Sequence, residues 1–415
     1  MKKIIHLADE HIRDKGIAEI ETVCDFIVDT ARAETPDLIV SAGDLFDSHE
    51  VKADSQAARL TIKTISRLAD IAPVAVITGT YRHEGNAPEI LRFARGRHPV
   101  HVASSPDQIY LFEGGFYNSM IGNCEPDVTL TMIPAITKQF FKTASGIADA
   151  DQEIAQAMTG LFAGFGAQAA DYDAPHVLLW HGGISGARIP SGHVLTGQDI
   201  EISTDQIRLA GGGHDFLGCF YPGPIYPVRV DEQECGFWVH ELDERDFVAC
   251  LGHIHQRQQI GGDFGEHQSR HVATPFTRTV RLSADFTQVP VTDGVADLFL
   301  DCCNNGIDLE MGIKVAGIRI DIRAWQDEAG KIDKDHIRQV FLDSGAASVD
   351  IQITRIPRVQ VRSGSVLAAE TLADKLIESA RLREETVAPE VLEMAVILAN
   401  TPAEQVLEMV MGGAV

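Results

Sequence analysis

The stretch KKIIHLAD at residues 2–9 and its counterpart TPDLIVSAGDLFDS at 35–48 decide the fold. Each is a short apolar run that ends on acidic residues, as expected of a strand buried on both faces whose last residues emerge in a loop. Between them, GIAEIETVCDFIVDTARAE at 16–34 sets Ile17, Ile20, Val23, Phe26, Ile27 and Ala31 at helical spacing. The rhythm repeats, with ADSQAARLTIKTISRLADI at 53–71 reading as a helix and APVAVITGT at 72–80 as a third strand. Such a β-α-β-α-β run predicts an α/β sheet covered by helices. Polar residues gather where the strands end, at Asp9 and His11, at Asp44 and Asp47, and in the turn GTYRHEGN at 79–86. Open α/β sheets hold their ligands at these carboxyl ends.

Further along, the runs shorten to DVTLTMIPAI at 127–136 and PHVLLWHGG at 175–183, with a helical insert expected from Asp149 to Gly164. A proline-marked stretch, HVATPFTRTVRLSADF at 271–286, leads to a new unit near Gly312. There the strand KVAGIRIDIRAW, the helix DKDHIRQVFLDSG and the strand SVDIQITRI make a small β-α-β module. From Ser365 the pattern is helical, with apolar residues at Leu372, Leu376 and Ile377 and again at Val391, Leu392, Ala395 and Leu398. The expected divisions are residues 1–290, 291–364 and 365–415.

Composition narrows the function. The chain has 415 residues, room for two or three domains with a real core. No apolar run reaches the roughly 18 residues of a membrane span, and the first residues lead straight into a strand, so a cytoplasmic protein is expected. The seven cysteines are odd in number and form no CxxC pair, which argues against a disulfide framework and for a reducing compartment. A net charge of −25 excludes capture of nucleic acid by a broadly basic surface. Any phosphate would have to meet cations held by the strand-end carboxylates, or a partner subunit.

Five pieces carry the chemistry: Asp9-x-His11, Gly43-Asp44-x-x-Asp47, the turn from Gly79 to Asn86, His181-Gly182, and Gly252-His253-Ile254-His255. Each offers carboxylate oxygen or imidazole nitrogen at the end of an apolar strand. Taken singly, Asp-x-His or Gly-Asp is more often a plain turn. As an ordered set they have the donors that two divalent metals about 3.5–4 Å apart require, including a shared carboxylate. Asp44 is the natural bridge, because the preceding glycine lets the backbone turn tightly.

The ordered motifs, with NAPEILRFARGRHPVHVASSP at 86–106, LLWHGGISGA at 178–187, YPGPIYP at 221–227, GFWVHELD at 236–243 and LGHIHQRQ at 251–258, resemble the calcineurin-like metallophosphoesterases. Within them the chain is similar to the SbcD-type DNA repair exonucleases, the nuclease subunit of the SbcCD complex. The resemblance covers most of residues 1–290, and the β-α-β module resembles that family's DNA-capping domain. It implies a four-layer α/β/β/α sandwich with a small α+β cap and a helical tail. It further implies two divalent ions, Mn2+, exonuclease and endonuclease cleavage of DNA phosphodiesters in double-strand-break repair by a metal-activated water, a homodimer, and an SbcC-type coiled-coil ATPase partner.

Carried over residue by residue, Asp9, His11, Asp44 and His255 would hold one metal, and Asp44, His181 and His253 the other. The family's Gly-Asn-His-Asp turn reads Gly79-Thr80-Tyr81-Arg82 here, followed by His83. Thr80 then stands for the metal-binding asparagine, with Gly122-Asn123 as an alternative. Tyr81 and His83 are the candidates for proton transfer, and Asp47 is a further catalytic carboxylate. A tyrosine, with a reference pKa of about 10, is a poor acid near neutrality, so a slow enzyme is expected. In the family the Gly-His-x-His motif precedes the YPGS-like and GFW strands, whereas here it follows them, which makes His214 in GGGHDFLG an alternative ligand. Arg188 and His193, in the loop after His181, are expected on DNA phosphates. The C-terminal helices would dock on the partner or on their own domain. Two other functions compete: a phosphodiesterase on small substrates, and a catalytically impaired DNA-end-binding scaffold.

Overall fold

Short Val/Ile/Leu runs become strands where both faces can be covered, and here they build two large sheets beside a two-stranded and a three-stranded one. In chain order the strands are β1 (Lys2–Leu7), β2 (Leu38–Ser41), β3 (Val74–Ile77), β4 (Val100–Ala103), β5 (Asp107–Phe112), β6 (Gly115–Tyr117), β7 (Val128–Ile133), β8 (His176–His181) and β9 (Gly183–Ile184). There follow β10 (Glu201–Ile202), β11 (Asp215–Tyr221), β12 (Gly236–Leu242), β13 (Asp246–Gly252), β14 (Gln258–Ile260), β15 (Ser269–Ala273), β16 (Thr279–Asp285), β17 (Gly317–Trp325) and β18 (Ser348–Ile356). This is a computed structural model, and it describes residues 1–120, 124–136, 150–189, 200–228, 232, 234–262, 268–277, 279–287, 316–357, 364–383 and 385–401.

The protein is mixed α/β. A six-stranded sheet has the order β15-β12-β1-β2-β3-β4, and a seven-stranded sheet the order β14-β11-β13-β8-β7-β5-β6. β1, β2, β3 and β4 are parallel, as are β7, β8, β13 and β11, so their carboxyl ends lie together within each sheet. One apolar core lies between the two sheets, with Ile4, Val40 and Ala75 from the first meeting Leu130, Val177, Leu179 and Val248 from the second. On the outer face of the first sheet, helix α1 (Ile17–Glu34) buries Ile20, Val23, Cys24, Ile27, Val28 and Ala31, nearly the stripe that the periodicity predicts. Helix α2 (Gln56–Ala69) packs beside it, with Ser55 capping its first turn by accepting from the Ala58 N–H at 3.1 Å.

On the outer face of the second sheet, the expected helical insert runs from Ala150 to Ala169, past the expected end at Gly164. It continues because Phe162 and Ala169 are buried and Gly166 closes onto the helix Thr204–Ala210, where a Cβ would fall 1.9 Å from the Leu209 carbonyl oxygen. The described cysteines are free thiols, as expected of a chain without a disulfide framework.

The described residues fall into two units, one of 1–282, 316–320 and 337–350, the other of 283–287, 321–336, 351–357 and 364–401. β16, β17 and β18 form a three-stranded sheet, and the helix Lys334–Asp343, between β17 and β18 in the chain, buries Ile337 and Phe341. Of the tail helices, which begin with the short Gly364–Ala368, Leu372–Arg381 buries no side chain and Pro389–Asn400 buries only Ala395, and Leu372, Ile377, Val391 and Met394 are exposed. Among the described residues no helix is long and apolar enough to cross a membrane.

Candidate metal centre

Backbone conformation marks the site before any side chain is considered. Asp9 (φ 52°), His11 (φ 42°), Asp44 (φ 58°) and His253 (φ 92°) all adopt left-handed conformations. Each costs a non-glycine residue about 1–3 kcal/mol and persists only where surrounding structure imposes it. Here the imposing structure is a ladder between two loops. The Asp9, His11 and Ile12 N–H groups donate to the carbonyls of Gly43, Asp44 and Leu45, each at 2.9 Å. The loop after β1 is thereby fixed against the loop after β2. Gly79, after β3, closes on the same point, and a Cβ there would sit 2.2 Å from both the Asp44 amide nitrogen and its Oδ1.

The first group of ligands is Asp9, His11 and His255, each offering one atom within 4.8 Å of the others. The Nε2 atoms of His11 and His255 are 2.9 Å apart. Behind His255, Nδ1–H donates to Glu232 Oε1 at 2.6 Å, and behind His11, Nδ1 lies 3.5 Å from Asp47 Oδ1. His255 is thus bonded to a carboxylate on one nitrogen, the arrangement that orients metal-binding imidazoles, while Asp47 lies near His11 Nδ1 without a hydrogen bond, and both rings turn Nε2 inward. Asp9 Oδ1 accepts the His253 N–H at 2.8 Å, while Oδ2 is buried with no hydrogen-bond partner. A buried carboxylate oxygen of this kind calls for a cation.

The second group is Asp44, His181 and His253, again within 4.8 Å. The His181 Nδ1–H donates to the Ala42 carbonyl at 2.6 Å, leaving Nε2 3.4 Å from Asp44 Oδ2 and 3.2 Å from the Thr80 hydroxyl. Asp44 Oδ1 accepts the Thr80 N–H at 2.5 Å, and Oδ2 stands between the two groups, 3.9 Å from His11 Nε2. Burial opposes the charge on Asp44, but His181 and His11 outweigh it and hold the carboxyl well below the usual range. Burial likewise disfavours a charged His181, yet Asp44 overrides it and raises the imidazole to about 10.

The reversed order of the motifs is accommodated by strand placement. β12 crosses to the first sheet and pairs antiparallel with β1, and β13 enters the second sheet between β11 and β8. Gly252 is then in register with His181, and the chain leaves the strand at that point, so both His253 and His255 reach the centre. His214 lies elsewhere, buried beside His176 with Nε2 bonded to the Ala174 carbonyl at 3.1 Å.

The altered turn contributes unevenly. The Thr80 hydroxyl reaches the second group, and the His83 ring lies 4.8 Å from that of His11, within reach of Asp47. Tyr81 is 66% exposed. Arg188 is exposed on its loop, tied through its backbone to the Gln258 side chain at 2.7 and 2.9 Å. His193 and Asn123 lie outside the described residues. Two carboxylates had no role assigned from the sequence, Glu232 outside every motif and Glu84 within the turn at 79–86. Glu232 sits in the stretch between YPGPIYP and GFWVHELD, and Glu84 accepts the N–H groups of Gly79 and, at 2.7 Å, of Leu45, tying the second and third loops together. Burial, with Asp44 beside it, pushes the Glu84 carboxyl up to about 8.

In comparisons with known proteins, the chain matches no protein-family model and no curated protein.

Proposed function

We propose that this chain is a metallophosphoesterase of the four-layer calcineurin-like type that hydrolyses DNA phosphodiesters. The observation that carries the reading is the position of Asp44 Oδ2, 3.4 Å from His181 Nε2 and 3.9 Å from His11 Nε2, between two groups of side chains that could each hold a metal ion. Divalent ions held there, Mn2+ by resemblance, would neutralise a phosphodiester and make water nucleophilic near neutral pH. Around them Glu232 orients His255, Asp47 lies near His11, Ala42 orients His181, and Thr80 holds Asp44 Oδ1 aside. His83, beside His11, is the imidazole to protonate the departing oxygen, and the exposed Tyr81 is not needed for it. The exposed apolar faces of the tail helices support docking on a coiled-coil ATPase subunit, and the family pattern supports a homodimer.

Release of nucleotides from linear duplex DNA in the presence of Mn2+ tests this directly. The expected result is slow, metal-dependent cleavage that Asp44→Asn abolishes. A second reading, a phosphodiesterase on small substrates, is favoured by the net charge of −25. Turnover of an aryl phosphodiester with none of duplex DNA would establish it. Metal binding without turnover of either substrate would leave a DNA-end scaffold.

A further inference from the structure

Away from the strand ends, a second set of ligand atoms is enclosed between the sheets. β1 and β12 pair so that His6 faces Trp238 and Ile4 faces His240, which puts His6 and His240 on one side of the first sheet. Ile4 and Trp238 on that side belong to the core between the sheets, as does Cys250 on β13 of the opposite sheet. His6, His240 and Cys250 are each 0% exposed, and one ligand atom from each lies within 4.8 Å of the other two.

The hydrogen bonds of the two rings lie on their outer nitrogens. His6 Nε2 lies 3.2 Å from the Leu251 carbonyl, which only an N–H can satisfy, so Nδ1 carries a bare lone pair. His240 Nδ1 is bonded to the Ser269 hydroxyl at 2.8 Å, leaving Nε2 on the other side of the ring. His6 Nδ1 and His240 Nε2 are both buried with no hydrogen-bond partner. The Ser269 hydroxyl can accept from His240 Nδ1, the tautomer that leaves Nε2 with a lone pair, and an outer hydrogen bond with a free inner nitrogen is the arrangement of metal-bound imidazoles.

We propose that His6, His240 and Cys250 form a metal site of their own, distinct from the strand-end centre, and that its occupant is copper(I). The donor set is soft, one sulfur and two imidazole nitrogens with no carboxylate, whereas the strand-end groups contain no sulfur. Two neutral imidazoles and a thiolate sum to one negative charge, which a monovalent ion cancels. A divalent ion would leave net charge among Ile4, Trp238 and Phe220, an apolar setting that penalises it. Structural zinc also takes four ligands, and among the described residues three are assembled here. On binding, the Cys250 thiol proton is released to solvent as the sulfur–copper bond forms, so affinity rises with pH.

The full chain, loaded anaerobically with copper(I) against a competing chelator and measured by X-ray absorption at the copper edge, tests the site. One copper per chain with one sulfur and two nitrogen scatterers is expected. Cys250→Ser and Cys250→Ala remove the sulfur scatterer, His240→Gln weakens retention by at least about tenfold, and Cys124→Ser changes nothing. Asp44→Asn also leaves the spectrum unchanged, which separates this result from any failure of the phosphoesterase reading. Absence of a sulfur scatterer in the wild type, or an unaltered spectrum in both Cys250 variants, overturns the site. Zinc retained through the same sulfur with copper rejected overturns the copper assignment.

Discussion

His11 and His255 bring their Nε2 atoms to 2.9 Å of each other although 244 positions separate them in the chain. At most one of the two nitrogens can carry a proton in that contact. Glu232 holds the opposite edge of His255, and Asp47 lies 3.5 Å from that of His11; the first prediction concerns Glu232.

Replacing Glu232 by Gln keeps the shape but removes the acceptor charge behind His255. Mn2+ affinity is expected to fall about 10–100-fold, read by titration calorimetry, with the far-ultraviolet circular dichroism unchanged. Equal affinity in the variant would show that His255 does not bind metal.

Stoichiometry separates the two groups. His253→Ala should leave about one Mn2+ per chain and Asp44→Ala should leave none held tightly, if Asp44 Oδ2, 3.4 Å from His181 Nε2 and 3.9 Å from His11 Nε2, serves both ions as proposed. Metal analysis after gel filtration reads this out, and two ions retained by Asp44→Ala would refute the bridging role.

In the altered turn, His83→Ala should slow phosphodiester cleavage by about 100-fold or more, whereas Tyr81→Phe, at a position 66% exposed, should leave the rate within about twofold of the wild type. A rate that depends on Tyr81 and not on His83 would reverse the assignment.

Acid stability has a separate origin. Burial, and then His214, lowers His176 from the ordinary 6.5 to about 3, while its Nε2 is bonded to the Thr131 hydroxyl. A depressed folded-state value means that the native state binds fewer protons than the unfolded chain, so stability is present above pH 6.5 and is lost as pH falls toward 3. At pH 5 the loss from this residue is about 2 kcal/mol. Urea midpoints at pH 7 and pH 5 should converge in His176→Gln relative to the wild type.

Much of this was legible in the sequence. Periodicity gave α1 and the first three strands, and acidic residues just past buried strands gave Asp9 and Asp44, because a charge is tolerated there only where the chain turns out of the core. Less was visible where placement depends on partners distant in the chain. Alternating histidines on a strand point to opposite faces, and only the end of β13 at Gly252, with His253 at φ 92°, lets both reach one centre. Whether β13 or β11 neighbours β8 is a choice among parallel pairings that local patterning does not encode. Glu84 and Glu232 act by accepting from backbone or ring N–H groups, and no spacing rule marks a residue for that.

The order of strands has a consequence for exchange kinetics. β1, β2, β3, β8 and β13, which present the ligands, are all interior strands, flanked on both sides in their sheets. Fraying begins at edges, so the amides beneath the metal centre should exchange with deuterium only through global unfolding. Any local opening of the site would then have to come from the loops that carry Asp9, Asp44 and His253, while the strands beneath them stay closed.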